Sequence, residues 1–400
     1  MPISATQFVV RWTNPAPALL PLFQTAGVEA LLVAEASAAF VEAAAAAKLP
    51  LLHSSEETGL IGAGLWPGVR QSANRVRDIE VVSASREPWV DANSYLVAYH
   101  RALDPAKTPV LAYEANEKAG VRPDVEIPYD TAALGLIETR IAGGNFVVDL
   151  PPRFKEKLLN GDAKAQAAWA GLGRTAAWLQ ANASLLGRPA LPEITAIVEE
   201  GAPTREIANL LHRRGASPSL KSIARVPAPD KKILALVAAS LRQVPPAVYA
   251  HAEAGAAVVI DSVPPGGAKL IREEIDRVFY SYGAGTIVAY RKRIVDPSEF
   301  ALDVIDIVTH KRRATRLWNA NSAIPLATMG EHPNEAILHI VNYGSPTQEE
   351  IQAHIQGRYA KATLHAPGKD PKPLKVAPRG ASSEVFVPPI ERLAVVRFSN

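Results

Sequence analysis

Acidic and polar residues recur directly after short apolar runs between residues 7 and 150. Arg11 and Trp12 follow QFVV, and His53, with Glu56 and Glu57 close behind, follows LPLL. Glu87, Trp89 and Asp91 come after IEVVSAS, Glu114, Asn116 and Glu117 after PVLAY, and Asp149 lies near the end of NFVVDL. If the apolar runs are parallel strands, their carboxyl ends lie on one face, and acids far apart in the chain converge there. The expected product is a pocket lined with carboxylates.

Other chemistries find less support. The group His53, Glu56, Glu57 contains metal-ligand residue types, but it falls in a loop with no second histidine nearby, so no metal site is expected. Gly62, Gly64 and Gly68 fit neither the phosphate-cradling loop nor the dinucleotide fingerprint and are read as a lid over the pocket. A nucleotide-binding enzyme therefore lacks its motif, and no nucleophile elbow supports serine hydrolysis. The chain has no cysteine, which excludes disulfides, thiolate nucleophiles and cysteine-held metals. No cofactor is expected.

A net charge of +3 over 400 residues, with basic residues spread along the chain, argues against nucleic acid as a partner. The basic cluster Lys311, Arg312, Arg313 with Arg316 has no interleaved aromatics and is read as a solvated helix end. No stretch reaches the roughly 18 apolar residues of a membrane span. A soluble protein is expected, cytoplasmic as the chain stands or secreted if a leader precedes it.

The elements that must position the acids alternate. Strand-like runs are expected at 7–12, 28–33, 49–53, 79–84, 109–113 and 145–150, with a weaker one near Val69, and helices at 16–26, 37–48, 93–102, 129–142 and 162–183. This alternation predicts a compact TIM-like (β/α) barrel over 1–187, small beside the usual ~250 residues. After the linker GRPALPE, runs in β-α-β-α-β order predict a flavodoxin-like α/β domain over 188–313. Short alternating runs rich in proline predict an antiparallel β-sandwich over 314–400.

The layout resembles the family 42 β-galactosidases and related barrel proteins. The resemblance rests on EPWVDANSYLVAYHRALDP in the first part, ILALVAASLRQVPPAVYAHAEAGAAVVIDS in the second, and AILHIVNY with VPPIERLAVVRF in the third. It implies a (β/α)8 barrel, a glutamine-amidotransferase-like middle domain through which copies assemble, and a small β-domain. It also implies a carbohydrate substrate and homo-oligomer assembly through the middle domain. Asn116-Glu117 has the order of the family's Asn-Glu pair but follows a later strand than the fourth.

Glycoside hydrolysis needs two carboxyl groups, about 5–5.5 Å apart for retention or ~6.5–9.5 Å for inversion. Glu87 and Glu114 form the first candidate pair, with Asp149 as a further catalytic acid. Each has an ordinary alternative: Glu87 and Glu114 as loop acids or partners of Arg86 and Arg122, and Asp149 as a helix cap or the partner of Arg153. Arg11 suits a sugar hydroxyl, and Trp12 and Trp89 suit the apolar face of a pyranose. His53, Glu56, Asp91, Asn116 and Glu117 complete the expected substrate contacts. The rival reading is a non-catalytic carbohydrate-binding or assembly protein with the same architecture.

Overall fold

The computed structural model describes residues 3–53, 59–69, 89–292, 294, 297–308 and 314–400. The expected strand at 79–84, together with Glu56, Glu57 and Glu87, lies outside these residues.

The first part builds an all-parallel sheet of six strands, in the order Leu51–His53, Ala30–Val33, Val9–Arg11, Asn145–Val148, Val110–Leu111 and Leu60–Ile61. The four inner strands are mostly β-branched and leucine runs buried on both faces, as a parallel sheet covered by helices requires. The first strand pairs with both the second and the one at 145–148, with Val9 opposite Ala30 on one side and Val147 on the other. Among the described residues the two edge strands do not pair, so the sheet is a half-barrel rather than the closed cylinder expected.

Local chemistry explains the helices between the strands. Ser37 caps the helix Ala38–Ala46 by accepting from the Phe40 N–H, and Asp162 caps Ala163–Ala181 by accepting from the Ala165 N–H at 2.9 Å. Pro152 opens the helix Pro152–Leu159, which sequence reading passed over. A proline at the first helical position loses no hydrogen bond, so Pro151-Pro152 marks a start there and not merely a turn.

The second sheet has seven strands, in the order Ser219–Ser222, Ile194–Val198, Ala235–Val237, Ala257–Ile260, Gly285–Tyr290, Arg277–Tyr282 and Lys269–Glu273. The first five are parallel, and the last two add antiparallel neighbours, so SYGAGTIVAY forms a hairpin. Beyond residue 314, antiparallel sheets of four and five strands bury a shared core that includes Leu338, Ile340, Ala353, Ile355, Val385 and Val396.

The three parts share buried contacts. The helix Ser94–Leu103 sends Leu96 and Val97 into the first core and Tyr99 into the second. Ile337, Val341 and Val395 of the C-terminal sheets join the first core as well. Truncating one fully buried aromatic at its centre, such as Phe146, costs about 3–5 kcal/mol.

Candidate active site at the strand ends

The carboxyl ends of the strands at 9–11, 110–111 and 145–148 bring Arg11, Glu114 and Asp149 together. Arg11 Nη1 lies 3.0 Å from Glu114 Oε1, and a second Arg11 nitrogen donates to the Ala112 carbonyl. Glu114 also accepts from Asn116 Nδ2 at 3.1 Å, while Asn116 Oδ1 accepts from the Lys118 N–H and caps the short turn Glu117–Ala119. Asp149 Oδ2 accepts from the Ala115 N–H at 2.8 Å, the residue directly after Glu114.

The two acids sit in unlike surroundings. Glu114 is exposed, with 62% of its side chain open, whereas Asp149 is half-buried. Burial pushes the Asp149 carboxyl above its ordinary range, and the Glu114 charge pushes the same way; the Ala115 N–H, Arg11 and Lys155 act in the opposite direction. Burial in turn lowers the Lys155 ammonium, with Asp149 opposing the shift.

The other expected contacts have surroundings of their own. Trp12 is 2% exposed, with Phe23 edge-on at 5.1 Å and the Lys155 ammonium 4.3 Å above its ring, so it is core and offers no open stacking face. Trp89 keeps 42% of its surface, but the Arg213 guanidinium lies 3.3 Å over its ring and its indole N–H donates to Asp91. Asp91 is buried and 3.6 Å from Arg213. It belongs to a two-stranded antiparallel ladder, Val90–Asp91 with Gly68–Val69, and not to the parallel sheet. Trp89 and Asp91 thus tie the first part to the helix Ala202–Arg213 of the second. His53 ends its strand exposed, and Glu117 is exposed on its turn. The expected lid is packed down: the Trp66 indole is buried and donates to Thr131 Oγ1 at 3.2 Å, and Gly64 lies against the Tyr113 ring, leaving no room for a β-carbon.

One buried acid escaped the sequence reading. Glu138, fully buried in the helix Ala132–Ile141, accepts from the Asn93 backbone N–H at 2.7 Å, Asn93 Nδ2 at 2.6 Å and Tyr343 Oη at 2.9 Å. Burial pushes its carboxyl up to about 7 against the three donors that favour the charged form. An acid directly after the apolar helical run ALGLI was the available signal. Among the described residues no group of three His, Asp or Glu side chains is arranged to hold a metal ion, and no helix is long and apolar enough to cross a membrane.

The fold has counterparts among solved structures. It is similar to α-L-fucosidase isoenzyme 2 from Paenibacillus thiaminolyticus, with a TM-score of 0.50 and 11% identity over 96% of this chain and 80% of that one. A catalytic mutant of a GH42 β-galactosidase from G. stearothermophilus matches at TM-score 0.48 and 10% identity, over 76% of this chain and 56% of that one. A rhamnosidase from Novosphingobium sp. PP1Y matches at 0.47 and 13%, over 90% and 38%. This chain thus spans about half the length of the galactosidase. At these identities the likeness is one of fold alone. No protein-family model matches the chain, and no curated protein matches its sequence.

Proposed function

We propose that the chain is a glycoside hydrolase in which Asp149 is the acid/base residue and Glu114 the second carboxylate. The observation that carries this is that Asp149 accepts from the N–H of Ala115, the residue after Glu114, with the half-buried Asp149 close enough to feel the charge of the exposed Glu114. A carboxyl pushed upward by burial, next to an exposed acid beside an arginine, is the kind of division that acid and base roles use. Asp149 would protonate the glycosidic oxygen as the bond to the anomeric carbon breaks. Glu114 would meet the positive charge developing at that carbon, as nucleophile or by activating water. Arg11 and Asn116 position Glu114 and do not themselves react.

Glu87 is retained as the alternative acid/base residue. The division of the chain at 187 and 313, and assembly of copies through the middle part, are carried in the same proposal. The glycosidase-like fold supports the reading without fixing the sugar.

The test is release of reducing sugar from a panel of oligosaccharides and aryl glycosides, with binding followed by thermal shift. Glu114→Gln and Asp149→Asn are expected to retain binding; Glu114→Gln should lose turnover by about 100-fold or more across the panel, and Asp149→Asn by as much on the oligosaccharides. Binding without turnover in all three proteins would assign a carbohydrate-binding role instead, and neither binding nor turnover would remove the proposal.

A further inference from the structure

Away from the strand-end acids, a cavity of about 410 Å³ opens where the helix Ser94–Leu103, the strand Ser219–Ser222 and the strand Ala323–Met329 meet. Ala142, shortly before the strand Asn145–Val148, is part of its wall, so it lies toward the opposite end of that strand from Asp149. The volume falls within the ~300–1,000 Å³ range of small-molecule sites.

The lining is strongly one-signed. Arg101, Arg188, Lys221 and Arg225 all border the cavity, and no aspartate or glutamate does. Among the described residues none of these four cations has an ion-pair partner; the arginines are held by backbone carbonyls. Arg101 donates to Ala142 and Gly187, Arg188 to Gly330, and Arg225 to Ala102 and Leu103. Carbonyls fix the guanidinium planes without cancelling their charge, so four positive charges face one cavity in a chain whose net charge is +3.

Residues of the cavity wall also carry buried hydrogen-bonding groups that meet no partner among the described residues. His212 borders it from the end of the helix Ala202–Arg213, is 4% exposed, and has no partner for either ring nitrogen among the described residues. Arg188 Nε is likewise buried without a partner. Buried polar atoms of this kind are seldom left unmet, because their desolvation is uncompensated. Burial pulls the His212 imidazole down to about 4, so at neutral pH it presents one N–H and one lone pair.

We propose that this cavity binds a small molecule carrying an oxyanion group, with Arg188 Nε and the His212 ring meeting the oxyanion and Lys221 and Arg225 supplying attraction at the exposed rim. Guanidinium and imidazole N–H groups suit phosphate and carboxylate oxygens alike, so the group recognised is the oxyanion itself. Because the ligand would touch all three parts of the fold, binding would stabilise the whole chain. The site does not depend on the strand-end acids being catalytic.

The experiment is isothermal titration of the full chain with inorganic phosphate and, separately, citrate at fixed ionic strength, with glucose as the neutral control. The imidazole nitrogens are followed by NMR of histidine-labelled protein. Saturable single-site binding of either anion is expected, weakening as salt is raised and moving the His212 signals. Binding by phosphate alone would identify a phosphate-type ligand, and binding by citrate a carboxylate. Lys221→Glu, at an exposed strand position that leaves the core untouched, is expected to weaken binding by about tenfold. Arg188→Gln should weaken it further. Absence of saturable binding by both anions, or binding that Lys221→Glu leaves unchanged, would overturn the proposal.

Discussion

Arg11 reaches across the strand Asn145–Val148 to hold Glu114, 3.0 Å away, at the end of the next strand but one. At an exposed carboxylate such a pair adds little to stability. Its effect is positional and electrostatic: it orients Glu114 and places a positive charge near Asp149. Removing that charge as Arg11→Gln should raise the Asp149 pKa further, because Arg11 is one of the groups holding it down. The basic limb of the activity profile would then move to higher pH. An unmoved limb would separate Asp149 from the acid role.

Glu138 makes stability depend on pH. Its carboxyl is pushed up to about 7 from an ordinary 4.5, so between these values the folded chain keeps a proton that the unfolded chain has lost. The contribution is present in full below 4.5 and is lost as pH rises through about 7, by about 3 kcal/mol in all. Urea unfolding at a series of pH values should show this decline, and Glu138→Gln should flatten it. The same slope in both proteins would contradict the assignment.

Tyr343→Phe removes one donor from Glu138 while keeping the ring. Its hydroxyl is buried and bonds Glu138 Oε2 at 2.9 Å, so the loss is expected to cost about 1–3 kcal/mol. Since that bond also helps hold the Glu138 pKa down, the pH at which stability falls should move upward in the variant. Paired denaturation and pH series read both effects, and a variant as stable as the parent would show that the bond is not made in solution.

Gly173 lets the helix Ala163–Ala181 lie against the backbone at Ala26. A β-carbon there would stand 3.0 Å from the Ala26 carbonyl carbon and Cα, and neither can rotate away. Gly173→Ala should therefore destabilise the chain by about 1–3 kcal/mol, although alanine is the better helix former. Thermal melting decides it; an unchanged or raised midpoint would mean that the helix is free to shift.

The meeting of Arg11, Glu114 and Asp149 was legible as apolar runs followed by polar residues, because a parallel sheet gathers its carboxyl ends whatever the order of its strands. The partnership of Arg11 with Glu114 was not legible, since it depends on the strand at 145–148 lying between them. Trp12 was misread for a related reason. The helix that covers it begins at Pro152, and Lys155 on that helix closes over the ring. Asp91 follows the same apolar-then-acid pattern but sits on a short antiparallel ladder, so the pattern alone does not separate a mouth residue from a link to the neighbouring sheet. Local chemistry marks helix ends well: Asp162 caps its helix, and Gly27 and Gly143 take positive φ at 73° and 85° just past theirs. The cationic cavity was illegible, because its residues come from distant segments of ordinary composition.

The central claim is that Asp149 gives its proton to the leaving group. It is tested most directly by comparing Asp149→Asn with the parent on two glycosides of one sugar, one with an acidic phenol as leaving group and one with a simple alcohol. Loss of a general acid should cost about 10²–10⁴-fold on the alcohol, which needs the proton, and far less on the phenol, which leaves without it. Equal losses on both substrates, or no loss on either, would contradict the account.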